Sequence, residues 1–240
     1  MEQEPVTVAA IAALIDHAVL KPELTDGAVA AELDVAARWG VFSVCVRPSD
    51  IPRSVARLAG TPVLTGTVLG FPHGTTSTAA KVAEARRALD DGASELDMVL
   101  HIGRLLSGDT AAVEDDIAAV VTEARDHIVK VILETVFLDD PAITAGCLAA
   151  ERAGAAFVKT STGFAGGGAT MHDLEVMRAA VGDRMRIKAS GGVRSLDTLL
   201  AMRAIGVDRF GTSATATILG DVERLVATGA AAGVEDTSSY

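Results

Sequence analysis

Five lysines against 16 arginines allow each lysine of this 240-residue chain to be judged singly. Lys81 falls in a helical stretch and Lys130 near the start of an apolar run, where each reads as solvated or structural. Lys159 and Lys188 differ, because they close Ala156-Phe-Val-Lys-Thr and Arg186-Ile-Lys-Ala, two consecutive strand-like runs. Parallel neighbours in one sheet would carry both amines toward the same end, a short distance apart. An amine with the ordinary pKa of about 10.4 is neutral only about 0.04% of the time at pH 7, so as a nucleophile it needs help. Burial and a second cation both disfavour the ammonium form and together move a lysine by several units. The pair therefore points to Schiff-base chemistry, with ion pairing to barrel carboxylates or anion binding as the alternative.

A carboxylate stands ready to move protons. In Glu95-Leu-Asp-Met-Val, residues 95, 97 and 99 share one face of a strand. Asp97 then faces inward, where an unpaired charge is costly, and Lys188 is its expected partner. Asp97 could act as general acid and base, directly or through water. Asp16 and Glu134 are further acidic candidates, each better read alone as half of a structural ion pair. Phosphate handling has a separate signature in Thr162-Gly-Phe-Ala-Gly-Gly-Gly-Ala-Thr, Ser190-Gly-Gly-Val and Gly211-Thr-Ser-Ala-Thr. Backbone amides in such loops and at helix N-termini cradle phosphate, although any one glycine pair is more simply a turn. Residues 159–194 carry six basic and three acidic side chains in a chain whose net charge is -11.

These residues need strands to hold them. Short Val- and Ile-rich runs at 14–19, 41–46, 63–69, 95–100, 129–134, 156–160, 186–189 and 208–211 alternate with helical patterns. The helical stretches include 26–39, 78–91, 111–126, 141–153, 172–181 and 195–205. Gly40, Gly92, Gly154 and Gly206 fall where left-handed C-terminal caps belong. Eight strands with crossover helices in a chain of this length predict a single-domain α/β fold, the (β/α)8 TIM barrel. An open doubly wound sheet is the competitor. The barrel is expected to occupy residues 1–228, and 229–240 to form a flexible tail.

Composition narrows the partners. Thirty-two acidic against 21 basic residues oppose long-range attraction to nucleic acid or anionic membranes. The longest uncharged stretch, 58–80, holds two prolines and four glycines and reads as strand plus loop, not as a bilayer helix. No signal peptide is expected, because Glu2 and Glu4 precede the first apolar run. Cys45 and Cys147 imply no disulfide framework, read as packed thiols and fit the cytoplasm. The histidines, at 17, 73, 101, 127 and 172, never fall closer than 26 residues and offer no compact zinc motif.

The motifs, taken in order, resemble those of one family over nearly the whole chain. They are Asp16-His-Ala-Val-Leu-Lys-Pro, Leu69-Gly-Phe-Pro-His-Gly, Glu95-Leu-Asp-Met-Val, Lys130-Val-Ile-Leu-Glu-Thr, Phe157-Val-Lys-Thr-Ser-Thr-Gly-Phe, Ile187-Lys-Ala-Ser-Gly-Gly-Val-Arg and Arg209-Phe-Gly-Thr-Ser. The sequence is similar to the deoxyribose-phosphate aldolases, metal-independent class I enzymes. The resemblance implies reversible cleavage of 2-deoxy-D-ribose 5-phosphate to D-glyceraldehyde 3-phosphate and acetaldehyde, without a cofactor. It makes Lys159 the Schiff-base lysine, Asp97 the proton-relay carboxylate and Lys188 the second lysine that tunes the first. Gly163, Gly191, Gly192 and Ser213 would hold the phosphate. His101 stands where many relatives have Asn and Ala214 where some have a second serine, so one side-chain phosphate contact is expected to be missing. Some relatives end in a tyrosine that enters the site as a proton carrier, which makes Tyr240, the chain's single tyrosine, a candidate. A homodimer is the expected assembly. The other functional readings are a Schiff-base aldolase acting on a hexose phosphate or keto acid, and a non-catalytic sugar-phosphate-binding barrel.

Overall fold

The computed structural model describes residues 6–228, so Tyr240 and the whole expected tail lie outside the described residues. Eight parallel strands close on themselves in sequence order: β1 Ile15–Val19, β2 Ser43–Val46, β3 Leu64–Leu69, β4 Glu95–Val99, β5 Ile128–Ile132, β6 Phe157–Lys159, β7 Arg186–Ser190 and β8 Arg209–Thr212. The final pairing sets Asp16 opposite Gly211, and the open doubly wound alternative falls with that closure. Among the described residues the helices are α1 Val8–Ala12, α2 Asp26–Trp39, α3 Ile51–Leu58, α4 Thr78–Asp90, α5 Ile102–Leu106, α6 Thr110–Ala124, α7 Asp140–Arg152, α8 Met171–Val181, α9 Leu196–Ala204 and α10 Thr215–Thr228. None is long and apolar enough to cross a membrane.

Local chemistry explains the helix boundaries. Thr25, Ser77, Asp109, Asp139, Thr170 and Ser195 each accept a backbone N–H from the first turn that follows, satisfying a donor the helix cannot. Gly40 ends α2 at φ 61°, and Gly92, Gly154 and Gly206 also take positive φ where the sequence placed them. In α2, Val29, Leu33 and Ala36 recur at helical spacing and are buried. A fully buried leucine of this kind contributes about 1.5–3 kcal/mol. The sequence reading did not single out α1, α3, α5 or α10. Two of these have five residues, too few for a period, and α3 carries Pro52 in its first turn.

The apolar core lies between sheet and helices. Leu96, Met98, Val129, Val131, Val158, Ile187 and Phe210 point outward from the strands and are almost wholly buried there. His17 also faces outward, bonding Thr215 Oγ1 at 2.8 Å and Glu32 at 2.9 Å and so tying β1 to α10 and α2. The barrel interior is charged instead. Asp16, Glu95, Asp97, Lys130, Lys159, Lys188 and Arg209 are all at most 5% exposed. Its N-terminal end is floored by aromatic stacking: Arg186 lies 4.2 Å over the Phe157 ring, and Arg209 lies 3.5 Å over Phe42 and 5.6 Å from Phe157.

Candidate active site

Strand register brings the expected residues together. Lys159 pairs with Lys188 across β6 and β7, and Asp97 with Lys130 across β4 and β5, so all four side chains point into the barrel. Lys159 Nζ and Lys188 Nζ each donate to the same oxygen, Asp97 Oδ2, at 2.8 Å. Lys130 Nζ donates to Asp97 Oδ1 at 3.0 Å and to Glu95 Oε2 at 2.8 Å. Below them Asp16 accepts from Lys188 Nζ at 2.6 Å, from Arg209 at 2.8 Å and from the Ser43 hydroxyl at 2.8 Å. Asp16 is thus the structural ion-pair partner the sequence suggested. Gly211 makes room for this packing, because a Cβ there would stand 3.2 Å from Lys188 Cε and 2.9 Å from Ser190 Cβ.

Of the two readings open to Lys130 and Lys81, solvated or structural, only the structural one holds. Lys130 is not a solvated residue at the start of its strand. The strand begins at Ile128, and Lys130 is a buried member of the Asp97 cluster. Lys81 is likewise wholly buried, bonding Asp116 at 2.6 Å and the Val99 carbonyl at 2.9 Å. Arg209 is a further interior cation that the sequence reading gave no role.

The electrostatics keep these charges fixed. Burial opposes ionisation of Asp97, but Lys130, Lys159 and Lys188 outweigh it and hold the carboxyl well below the usual carboxylate range. Asp16 is depressed in the same way, with burial outweighed by Lys188, Lys130 and Arg209. Burial also disfavours the Lys188 ammonium, yet Asp16 and Asp97 hold it above the ordinary amine range. A depressed carboxyl stabilises the fold fully above its unfolded value of about 3.9, and that stability is lost as pH falls through the lower folded value. A raised lysine stabilises below its unfolded value of about 10.4 and loses this as pH rises through the higher folded value. The contribution of these three groups to the urea-unfolding midpoint should therefore be constant from about pH 5 to about pH 9, and the midpoint should drop below about pH 4. A midpoint that rises as pH falls below about 4 would contradict this assignment of charges.

Above the cluster the three glycine-rich loops converge. Ala169 N–H donates to the Ser190 and Gly191 carbonyls, at 3.1 and 3.0 Å, joining the β6–α8 loop to the β7–α9 loop. Gly168 approaches Gly191 so closely that a Cβ on it would stand 2.4 Å from the Gly191 carbonyl oxygen. Thr212 Oγ1 donates to the Val193 carbonyl at 2.6 Å, joining the β7–α9 loop to the β8–α10 loop. Gly163, Gly191 and Gly192 take φ of 84°, 78° and 80°, and exposed Ser213 lies just before α10. All four expected phosphate residues thus stand on the C-terminal face around Lys159. Phe164, from the β6–α8 loop, stacks edge-on against Phe71, from the loop after β3, with ring centroids 5.3 Å apart. His101 caps α5 by accepting the Arg104 N–H at 3.3 Å. Among the described residues Glu134 is not half of an ion pair, and its carboxylate bonds only Thr162. No group of three or more His, Cys, Asp or Glu among those residues could hold a metal ion.

A closed barrel with two lysines on one buried carboxylate, ringed by glycine loops, defines an aldolase-type site, and the family comparison agrees. The chain belongs to the DeoC/LacD family of aldolases, whose model matches residues 10–233. The deoxyribose-phosphate aldolase of Staphylococcus epidermidis is 46% identical over 212 residues, 88% of this chain and 96% of its own length. A solved structure from Coccidioides immitis, assigned to deoxyribose-phosphate aldolase, superposes with a TM-score of 0.89 at 41% identity, covering 92% of this chain and 88% of that one. The tetrameric deoxyribose phosphate aldolase of Aeropyrum pernix gives 0.84 at 31% identity, covering 91% and 93%.

Proposed function

We propose that this protein cleaves 2-deoxy-D-ribose 5-phosphate reversibly to D-glyceraldehyde 3-phosphate and acetaldehyde, through a Schiff base on Lys159. The observation that carries the reading is the shared contact of Lys159 and Lys188 with Asp97 Oδ2. Lys159 enters the scheme as the free amine, the only form with a lone pair for attack. Its amine attacks the C1 aldehyde of the open-chain sugar, and loss of water gives an iminium that serves as electron sink. Removal of the C3 hydroxyl proton lets the C2–C3 bond break. Its electron pair forms an enamine on Lys159, and C3 leaves as the aldehyde of glyceraldehyde 3-phosphate. Protonation of the enamine at C2 and hydrolysis then release acetaldehyde.

Asp97 is the carboxylate that bonds both amines, and we assign it the proton traffic, directly or through one water. Lys188, held as a cation by Asp16 and Asp97, keeps positive charge beside the nucleophile and disfavours a second one there. Gly163, Gly191, Gly192 and Ser213 receive the phosphate, and no cofactor enters the scheme. Tyr240 keeps its place as a candidate proton carrier from outside the described residues. A role in deoxyribose catabolism, a homo-oligomeric assembly with the dimer as smallest form, and a cytoplasmic location complete the reading. Two free, buried cysteines fit that compartment.

Remote phosphate binding positions the bond to be broken, so 2-deoxyribose without phosphate should lose turnover as well as affinity, at least ~10²-fold in kcat/KM. Coupled assay of glyceraldehyde 3-phosphate and acetaldehyde release tests both points. Equal cleavage of the two sugars would remove the phosphate assignment, and cleavage of a hexose phosphate or keto acid in their place would favour another Schiff-base aldolase.

A further inference from the structure

Glu134 stands beside the Schiff-base strand and has no part in the chemistry above. Its backbone lies at φ 58°, ψ 63°, a left-handed conformation that costs a side chain with a Cβ about 1 kcal/mol or more. Its side chain is 1% exposed, and no cation pairs with it among the described residues. Burial pushes its carboxyl pKa up, with Thr162 and Lys159 pulling the other way. A strand end with no other task would carry glycine at such a φ and nothing ionisable. Each of these features costs free energy, and all fall on one residue.

What the residue gains is a single neighbour. Both carboxylate oxygens accept the Thr162 backbone N–H at 3.2 Å, and one also takes the Thr162 hydroxyl in a short hydrogen bond. Thr162 Oγ1 in turn accepts the Phe164 N–H at 3.0 Å, closing a turn around Gly163 at φ 84°. The backbone on either side of Glu134 is fastened to β6 and its extension. Leu133 N–H donates to the Lys159 carbonyl at 2.9 Å and Thr135 N–H to the Thr160 carbonyl at 3.1 Å. The left-handed kink at Glu134 lies between these two anchors, where its carboxylate meets the turn that begins three residues beyond Lys159. One rigid chain of contacts therefore runs from the strand that carries the amine to the turn that carries Gly163.

We propose that Glu134 is a positioning residue, which fixes the Thr162–Phe164 turn at a set distance from Lys159 so that phosphate and aldehyde engage together. The proposal rests on the deoxyribose-phosphate reading above. Glu134 touches no reacting atom in it. Its effect runs through Thr162 and is confined to substrates that use the phosphate end.

The test compares wild type, Glu134→Gln and Glu134→Gly on 2-deoxyribose 5-phosphate and on unphosphorylated 2-deoxyribose, with thermal unfolding alongside. Glycine suits the observed φ, so that variant should fold, yet its kcat/KM for the phosphorylated sugar should fall ~10-fold or more, with KM rising, while the unphosphorylated sugar changes within ~3-fold. Glutamine keeps an acceptor for the Thr162 N–H and should restore the phosphorylated reaction to within ~3-fold of wild type. Equal losses on both sugars would overturn the proposal, as would a glycine variant that keeps the wild-type preference for phosphate. Glutamine as damaging as glycine, with a displaced pH–rate profile, would make Glu134 a proton carrier and overturn it too. A wild-type enzyme indifferent to the phosphate would overturn the underlying reading, and the proposal with it.

Discussion

Lys159→Leu should abolish catalysis while leaving the fold intact. Loss of the only nucleophile in a covalent route costs about 10⁴-fold or more in kcat/KM, because no neighbouring group takes over its bond-forming role. Borohydride reduction in the presence of 2-deoxyribose 5-phosphate should leave an adduct on the peptide carrying Lys159, and the variant should show none. The charge balance explains why the fold survives. Lys159 is one of four basic side chains facing three carboxylates, and Asp97 keeps Lys130 and Lys188 as partners when it is gone. The unfolding midpoint should stay near wild type or rise, since a buried polar amine has been replaced by an apolar group. An adduct on any other residue would move the nucleophile elsewhere. A variant that still binds the sugar phosphate, from a wild type that neither turns over nor traps it, would return the protein to the binding-barrel class.

Asp97→Asn should do the reverse to stability and about as much damage to activity. Three lysine side chains donate to this carboxylate, and an amide removes the charge that holds them together. Stripping one partner from a buried ionic network costs about 3–5 kcal/mol, because the groups left behind stay desolvated. Activity should drop by about 10²–10⁴-fold, the range for loss of a positioned proton-transfer group. Adding Lys159→Leu to Asp97→Asn removes the amine whose only carboxylate partner among the described residues is Asp97, so stability should recover in part while activity does not. The measurements are urea-unfolding midpoints for the two single variants and the double variant, beside kcat/KM. An Asp97→Asn protein as stable as wild type would mean that the lysines carry far less charge than their partners imply.

Much of this site was legible from strand parity. Lys159, Lys188 and Asp97 each sit in a short apolar run where alternate residues share a face, and register then brings them to one end of one barrel. Lys130 was misread for a related reason. With the strand begun at Val129 it looks like a terminal residue, and beginning the strand at Ile128 puts it in mid-strand opposite Asp97. A lysine flanked by Val129 and Val131 carried that signal. Arg209 left no local trace, because its partner Asp16 is 193 residues away. Glu134 could not be read either. A buried carboxylate suggests an ion pair, and nothing in Ile-Leu-Glu-Thr announces a left-handed glutamate that bonds a threonine on the next loop.

The aromatic floor of the barrel limits the proposed reaction to one face, and the covalent bond to Lys159 sets its order of events. With Phe157 held between Arg186 and Arg209, packed side chains close the N-terminal end of the barrel, so in the proposed reaction substrate and products use the C-terminal face. In the proposed scheme, carbon–carbon cleavage frees glyceraldehyde 3-phosphate while the two-carbon fragment remains bonded to Lys159. The water that hydrolyses the fragment arrives by the same route. The phosphorylated aldehyde is therefore first out and acetaldehyde last, and in the synthetic direction the small aldehyde must load before its acceptor.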